Sequence, residues 1–169
     1  MNEAVLNVHH HAYPKNASPT YPPMPNDRWW IAGYRNAEKK EIGFIAFDQG
    51  VGIPATMPAK HSEFVKDVLA AASQFLAGAA PTSDHLLIQR AFELGRSRTE
   101  KEGQGKGLND FKVFLNAAGG KASLRILSGR GSYLYSYDGV EKVDPLPQAF
   151  HGTLVSWRLT ESPAVNWDE

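Results

Sequence analysis

Three short stretches of this chain carry residues whose types and spacing suit chemistry. In "EAVLNVHHHAYP", Glu3 and Asn7 stand four residues apart, on one face of a helix. The amide oxygen of Asn7 suits a magnesium ion that takes its other ligands from phosphates and water. The Glu3 carboxylate suits a general base acting on a water or a phosphoacceptor. In "FIAFDQGVGIP", Asp48 ends a strand and is followed by Gly50, Gly52, Ile53 and Pro54. A carboxylate there accepts a hydrogen bond from an exocyclic amine such as that of adenine, and glycine backbone can approach a flat ring. In "EGQGKGLNDF", Gly103, Gly105 and Gly107 alternate around Lys106 just before a helix. Bare backbone N–H groups at a helix N-terminus form an anion site.

Taken singly, each stretch has a plainer explanation: a solvated helix face, a strand-end Asp in a glycine turn, a glycine hinge. The third is not a Walker loop, because Gly107 follows Lys106 where Ser or Thr belongs. Nor is it a dinucleotide fingerprint, because Leu108 occupies the third glycine position and no strand precedes it. The run His9, His10, His11 invites a metal site, but consecutive helical residues point about 100° apart and cannot all face one ion. No His pair at i, i+4 spacing of the zinc-helix type accompanies it.

The elements that must position these residues follow from local pattern. Residues 3–11 form a helix stopped by Pro14, and "PKNASPTYPPMPND" is a loop. "RWWIAGYRN" and "EIGFIAFD" are strands forming a hairpin around "AEKK". Apolar residues recur at helical spacing over residues 62–76. Asp84 caps a helix "HLLIQRAFELG" ended by Gly95, and "RSRTEKEGQGKG" is a mobile polar segment. "LNDFKVFLNAAGG" is another helix; "KASLRILSG" and "SYLYSYDG" are strands joined by "GRG". A loop with Pro145 and Pro147 leads to a last strand "GTLVSWRLT" and a frayed tail. This order predicts an α+β fold: a two-layer α/β sandwich with a mixed, mostly antiparallel sheet covered by helices on one face.

Composition narrows the function. The chain has 169 residues, 42% of them hydrophobic, which suits one folded domain over 1–160 with a tail at 161–169. Its formal net charge of zero argues against a general nucleic-acid binder. It has no cysteine, which excludes disulfides and fits the cytoplasm. No apolar run approaches the ~20 residues of a membrane span.

Together the three stretches, with Gly152-Thr153 on the last strand, resemble the GHKL superfamily of ATP-binding domains. That family includes histidine kinases, anti-sigma-factor serine kinases, DNA gyrase, mismatch-repair ATPases and a heat-shock chaperone. Its pattern is E-x-x-x-N, D-x-G-x-G-I/V-P, G-x-G-x-G-L and a late G-T. Here it runs from Glu3/Asn7 through Asp48–Pro54 and Gly103–Leu108 to Gly152-Thr153, covering the chain to about Leu159. The resemblance implies a Bergerat-type fold, ATP and Mg²⁺ as cofactors, and a partner protein as phosphoacceptor or target. It implies that Asp48 holds the adenine amine, that Gly50, Gly52 and Ile53 pass against the ring, and that Thr153 completes the contact through water. Asn7 would bind Mg²⁺ and Glu3 would be the base. His10 would touch phosphate. Gly103, Gly105, Lys106, Gly107 and Leu108 would wrap the phosphates beneath a lid. Two functions fit: ATP hydrolysis or phosphoryl transfer in bacterial signalling, or an ATP-gated interaction module with little turnover. A homodimer is compatible with either. The family carries a helix ahead of Glu3 that this chain lacks, as a piece of a longer protein would. The 55–81 insertion and the 140–150 loop fall outside the family core.

Overall fold

The computed structural model describes residues 12–13, 28–60, 84–97, 113–117, 121–163 and 165–167. Two strands, β1 (Trp29–Asn36) and β2 (Glu41–Asp48), form an antiparallel hairpin in register from Trp29↔Asp48 to Asn36↔Glu41. Helices α1 (Ile53–Lys60) and α2 (Asp84–Ser97) follow, with a further helical turn at residues 113–117. Two long strands, β3 (Lys121–Ser136) and β4 (Glu141–Thr160), complete a four-stranded sheet in the order β1-β2-β4-β3. Every pairing is antiparallel.

The alternation of side chains explains which face is filled. Ala46 on β2, Leu124 and Ile126 on β3, and Val155, Trp157 and Leu159 on β4 all point inward. Ile88 and Phe92 of α2 and Leu115 close the same core, and Phe92 stacks on Tyr133 with ring centroids 4.4 Å apart. The opposite face is open: Trp30, 43% exposed, stacks on Phe47, which meets Phe150 edge-on.

The expected two-layer α/β sandwich, its sheet covered by helices in the Bergerat manner, is not what the described residues form. More than half of them are strand, in one four-stranded sheet against three short helices. The discrepancy arises where turn chemistry was read as loop. β4 continues through Pro145 and Pro147 because residues 146–149 bulge opposite Arg130: Gly131 pairs with Pro145 but Gly129 with Phe150. Pro147 lies inside that bulge, where no ladder bond needs its missing N–H, and Pro145 stands at its edge, opposite Gly131. β3 is bent rather than straight. Tyr137 N–H, just beyond it, donates to Ala122 O at 2.9 Å, whereas residues that far apart on a straight strand would lie ~50 Å apart. The chain doubles back through Gly129, which adopts the left-handed φ of 58° at the register shift. So "GRG" does reverse the chain, within one continuous ladder.

Asp84 begins α2 as expected, but its carboxylate accepts Arg130 N–H at 2.7 Å, pinning the helix start to this reversal. Arg130 in turn donates to Pro147 O at 3.0 Å. Gly131 lets the two approach: a Cβ there would lie 2.6 Å from His85 N. The tail is not frayed where it is described. Ser162 is fully buried, Trp167 Nε1 donates to Ser162 O, and Arg35 donates to Asn166 O. Among the described residues no helix is long and apolar enough to cross a membrane.

Candidate functional site

The last residue of β2 is the centre of the site. Asp48 is only 6% exposed, and Gly50 N–H, two residues on, donates to its Oδ1 at 2.9 Å. That short return is an Asx-type turn, which glycine at position 50 allows because the chain is crowded from outside. A Cβ at Gly50 would lie 2.2 Å from Ala12 O. Gly52 then adopts φ of 82°, a conformation costly for any residue with a side chain. This delivers Ile53 to the first turn of α1, with Pro54 behind it where a missing N–H costs nothing.

The partner of Asp48 across the sheet is Thr153 on β4. Thr153 N–H also donates to the Asp48 carboxylate. Just before it, Gly152 takes φ of 88° and packs so closely that a Cβ would lie 1.9 Å from Asp48 O. Between the turn and β4 sits Ser128 of β3, fully buried. Its Oγ accepts Ile53 N–H at 2.9 Å, donates to Gly152 O at 2.9 Å, and lies 3.2 Å from Thr153 Oγ1.

The N-terminal stretch meets the same turn. Val51 N–H donates to Ala12 O at 2.9 Å. Tyr13 donates its hydroxyl to Arg28 O at 2.5 Å and accepts Gln49 N–H at 3.2 Å. The residues that follow the Glu3/Asn7 stretch are thus fastened onto the Asp48–Gly52 turn and onto the start of β1.

Burial pushes the Asp48 carboxyl up to about 6 from 3.8, against the pull of the two N–H donors. The sign follows from linkage. The native state binds this proton more tightly than the unfolded chain, so the associated stability is complete below pH 3.8 and is lost as pH rises through about 6. Two pKa units correspond to about 3 kcal/mol. Between pH 4 and pH 7, Asp48→Asn is expected to gain about that much stability relative to the wild type in urea unfolding. Parallel pH profiles for the two proteins would show that the carboxylate is not strained by burial.

Of the residues singled out from the sequence, Asp48, Gly50, Gly52, Ile53 and Thr153 come together around this one turn. Ile53 contributes its N–H to Ser128 and packs its side chain against the core beside the cleft. Glu3, Asn7, His10, Gly103, Gly105, Lys106, Gly107 and Leu108 lie outside the described residues, as does the expected helix at 62–76. Ser128 and the docking role of Ala12 and Tyr13 were missed. Ser128 had a signal: it occupies the inward register of Leu124 and Ile126, where a polar residue requires partners. Among the described residues no group of three or more His, Cys, Asp or Glu gathers as a metal site. No family model matches the chain, and no curated protein matches it.

Proposed function

We propose that this chain binds Mg-ATP and either hydrolyses it or passes its terminal phosphoryl group to a partner protein, in cytoplasmic bacterial signalling. The observation that carries the proposal is the Asp48 cleft. A buried carboxylate, held by two N–H donors, stands beside a threonine at the head of a tight turn through Gly50 and Gly52. Such a site offers an acceptor to an exocyclic amine. Proteins gather buried carboxylates of raised pKa at functional sites more often than elsewhere.

Glu3 and Asn7 enter through chain length. Asn7 precedes Ala12 by five residues, and Ala12 touches the turn, so at most ~17 Å of extended chain separates Asn7 from Ala12. Asn7 would offer its amide oxygen to Mg²⁺ alongside the phosphates, a donor set of hard oxygens that fits this ion. The ion would neutralise phosphate charge. Glu3 would hold and deprotonate the attacking water or hydroxyl, and His10 would add a phosphate contact. Gly103, Gly105, Lys106, Gly107 and Leu108 would donate N–H groups to the phosphates and close over them.

Calorimetry with ATP and Mg²⁺, followed by turnover of labelled ATP, tests the proposal. Glu3→Ala is expected to lower turnover by ~100-fold with ATP affinity kept. Unchanged turnover removes Glu3 as the base. Tight binding without product at any time identifies an ATP-gated interaction module instead. No heat of binding removes the nucleotide proposal altogether.

A further inference from the structure

The hydroxyl of Ser128 has one hydrogen and two lone pairs, and the contacts around it use all three. Its hydrogen goes to Gly152 O, which lies between Phe150 and Thr153, the ladder partners of Gly129 and Ser128, and has no ladder partner of its own. One lone pair takes Ile53 N–H. Only a lone pair remains for the contact with Thr153 Oγ1, so Thr153 must be the donor there. Thr153 therefore meets the cleft with its hydrogen already committed, and presents only lone pairs. The Asp48 carboxylate beside it is an acceptor as well.

We infer that Ser128 is a positioning residue that makes the cleft selective for 6-aminopurines by fixing Thr153 as an acceptor. The inference rests on the Asp48 cleft being a nucleobase pocket. An exocyclic amine donates to Asp48, and a water can donate both to Thr153 and to the ring nitrogen beside that amine. A 6-oxopurine reverses the pattern: its carbonyl turns lone pairs toward the Asp48 acceptor, and its N1–H displaces the hydrogen that the water would donate to that ring nitrogen. The hydroxyl of Thr153 alone would not discriminate, because a free hydroxyl can rotate to donate.

The probes are ATP and inosine triphosphate, which differ at that 6-substituent, with Mg²⁺ and calorimetric readout. The wild type is expected to prefer ATP by at least ~30-fold, since a carbonyl facing unpaired acceptors forfeits more than one hydrogen bond. Ser128→Ala frees the Thr153 hydroxyl to donate to the bridging water, which can then accept from the N1–H of the oxopurine, and the preference is expected to fall ~10-fold. In a Thr153→Val background, Ser128→Ala should leave the preference unchanged, because Ser128 acts through Thr153. Ser128→Thr, which keeps the hydroxyl, should keep the preference. An unchanged preference in Ser128→Ala, or the same fall in the Thr153→Val background, overturns the inference.

Asp48→Asn separates the two levels. If the wild type binds ATP, Asp48→Asn does not, and Ser128→Ala keeps the preference, only the role of Ser128 falls. If the wild type does not bind ATP, the pocket and its selectivity fall together. Should Ser128→Ala not fold, proton NMR of the wild type decides. A Thr153 hydroxyl proton protected from exchange and close to Ser128 supports the inference, and a freely exchanging one overturns it.

Discussion

Asp48→Asn is expected to abolish detectable ATP binding while leaving the free protein folded. The isosteric amide keeps an oxygen for the N–H groups of Gly50 and Thr153, which now meet the carboxylate. It loses the charge that makes that oxygen a strong acceptor, and its NH₂ turns a donor toward the amine of the base. Losing a charge-assisted hydrogen bond costs about 1.5–3 kcal/mol, and the facing donors add to that, so affinity should fall by ~100-fold or more. The pH dependence sharpens the result. The ionised carboxylate is the stronger acceptor and protonation turns one of its oxygens into a donor, so wild-type affinity should weaken as pH drops below about 6. Its ordinary value of 3.8 would place that weakening far lower. Calorimetry from pH 5 to pH 8 checks both points. A loss smaller than threefold at pH 7.5, or a flat wild-type profile, would remove Asp48 from the base contact. The same substitution relieves the burial of a charge, so a variant that binds nothing is expected to be the more stable protein at neutral pH. Loss of binding together with loss of fold would point to a structural carboxylate instead.

Gly152→Ala is expected to be among the most destabilising single substitutions in the described residues. Two costs add. The residue holds φ of 88°, which strains any side chain, at about 1–2 kcal/mol. The new Cβ would also lie 1.9 Å from Asp48 O and 2.8 Å from Gln49 Cα, both backbone that cannot step aside without parting β2 from β4. Together they should cost ~4 kcal/mol or more. Gly139 provides the control, because it has a similar φ of 81° and nothing within 4 Å of an added Cβ. Gly139→Ala should therefore show the strain alone, about 1–2 kcal/mol. Urea unfolding of both variants measures the difference. Equal losses would mean that β4 gives way freely at Gly152, and that the close approach does not hold the cleft shut.

The parts of this architecture that local chemistry announces were legible in the sequence. β2 ends at Asp48 as its alternation indicates, and the glycines after it form a turn, with Gly52 in the left-handed region. Gly152-Thr153 stands directly across from Asp48, which a motif order implies but a propensity does not. The overall fold was misread where long-range pairing overrode local signals. Pro145 and Pro147 read as loop residues, yet β4 runs through both, with Pro145 paired to Gly131 and Pro147 inside the bulge that follows. α1 begins at Ile53 with prolines at positions 54 and 58, an unpromising helix whose first N–H groups are satisfied partly by Ser128 from a distant strand. The tail looked frayed because Trp167 and Asn166 bind groups far off in sequence or hidden in the core. Ser128 offered only its inward register as a signal: its partners at 53, 152 and 153 are remote, so local pattern could not say what it binds.

The pairing of Asp48 with Thr153 also sets an order in time. The two residues are 105 positions apart (153 minus 48), so their meeting closes a long loop. The entropic cost of such closure must be met before any contact rewards it, which delays the event relative to the β1–β2 hairpin. During synthesis, Asp48 and its glycines leave the ribosome early and stay half a pocket until β4 arrives. A chain interrupted before residue 152 would display the whole D-x-G-x-G stretch and still lack the wall that Ser128 and Thr153 build against it. The Asp48–Thr153 contact is thereby tied to completion of the described sheet, and any ligand that needs both residues could be held only once β4 has been made.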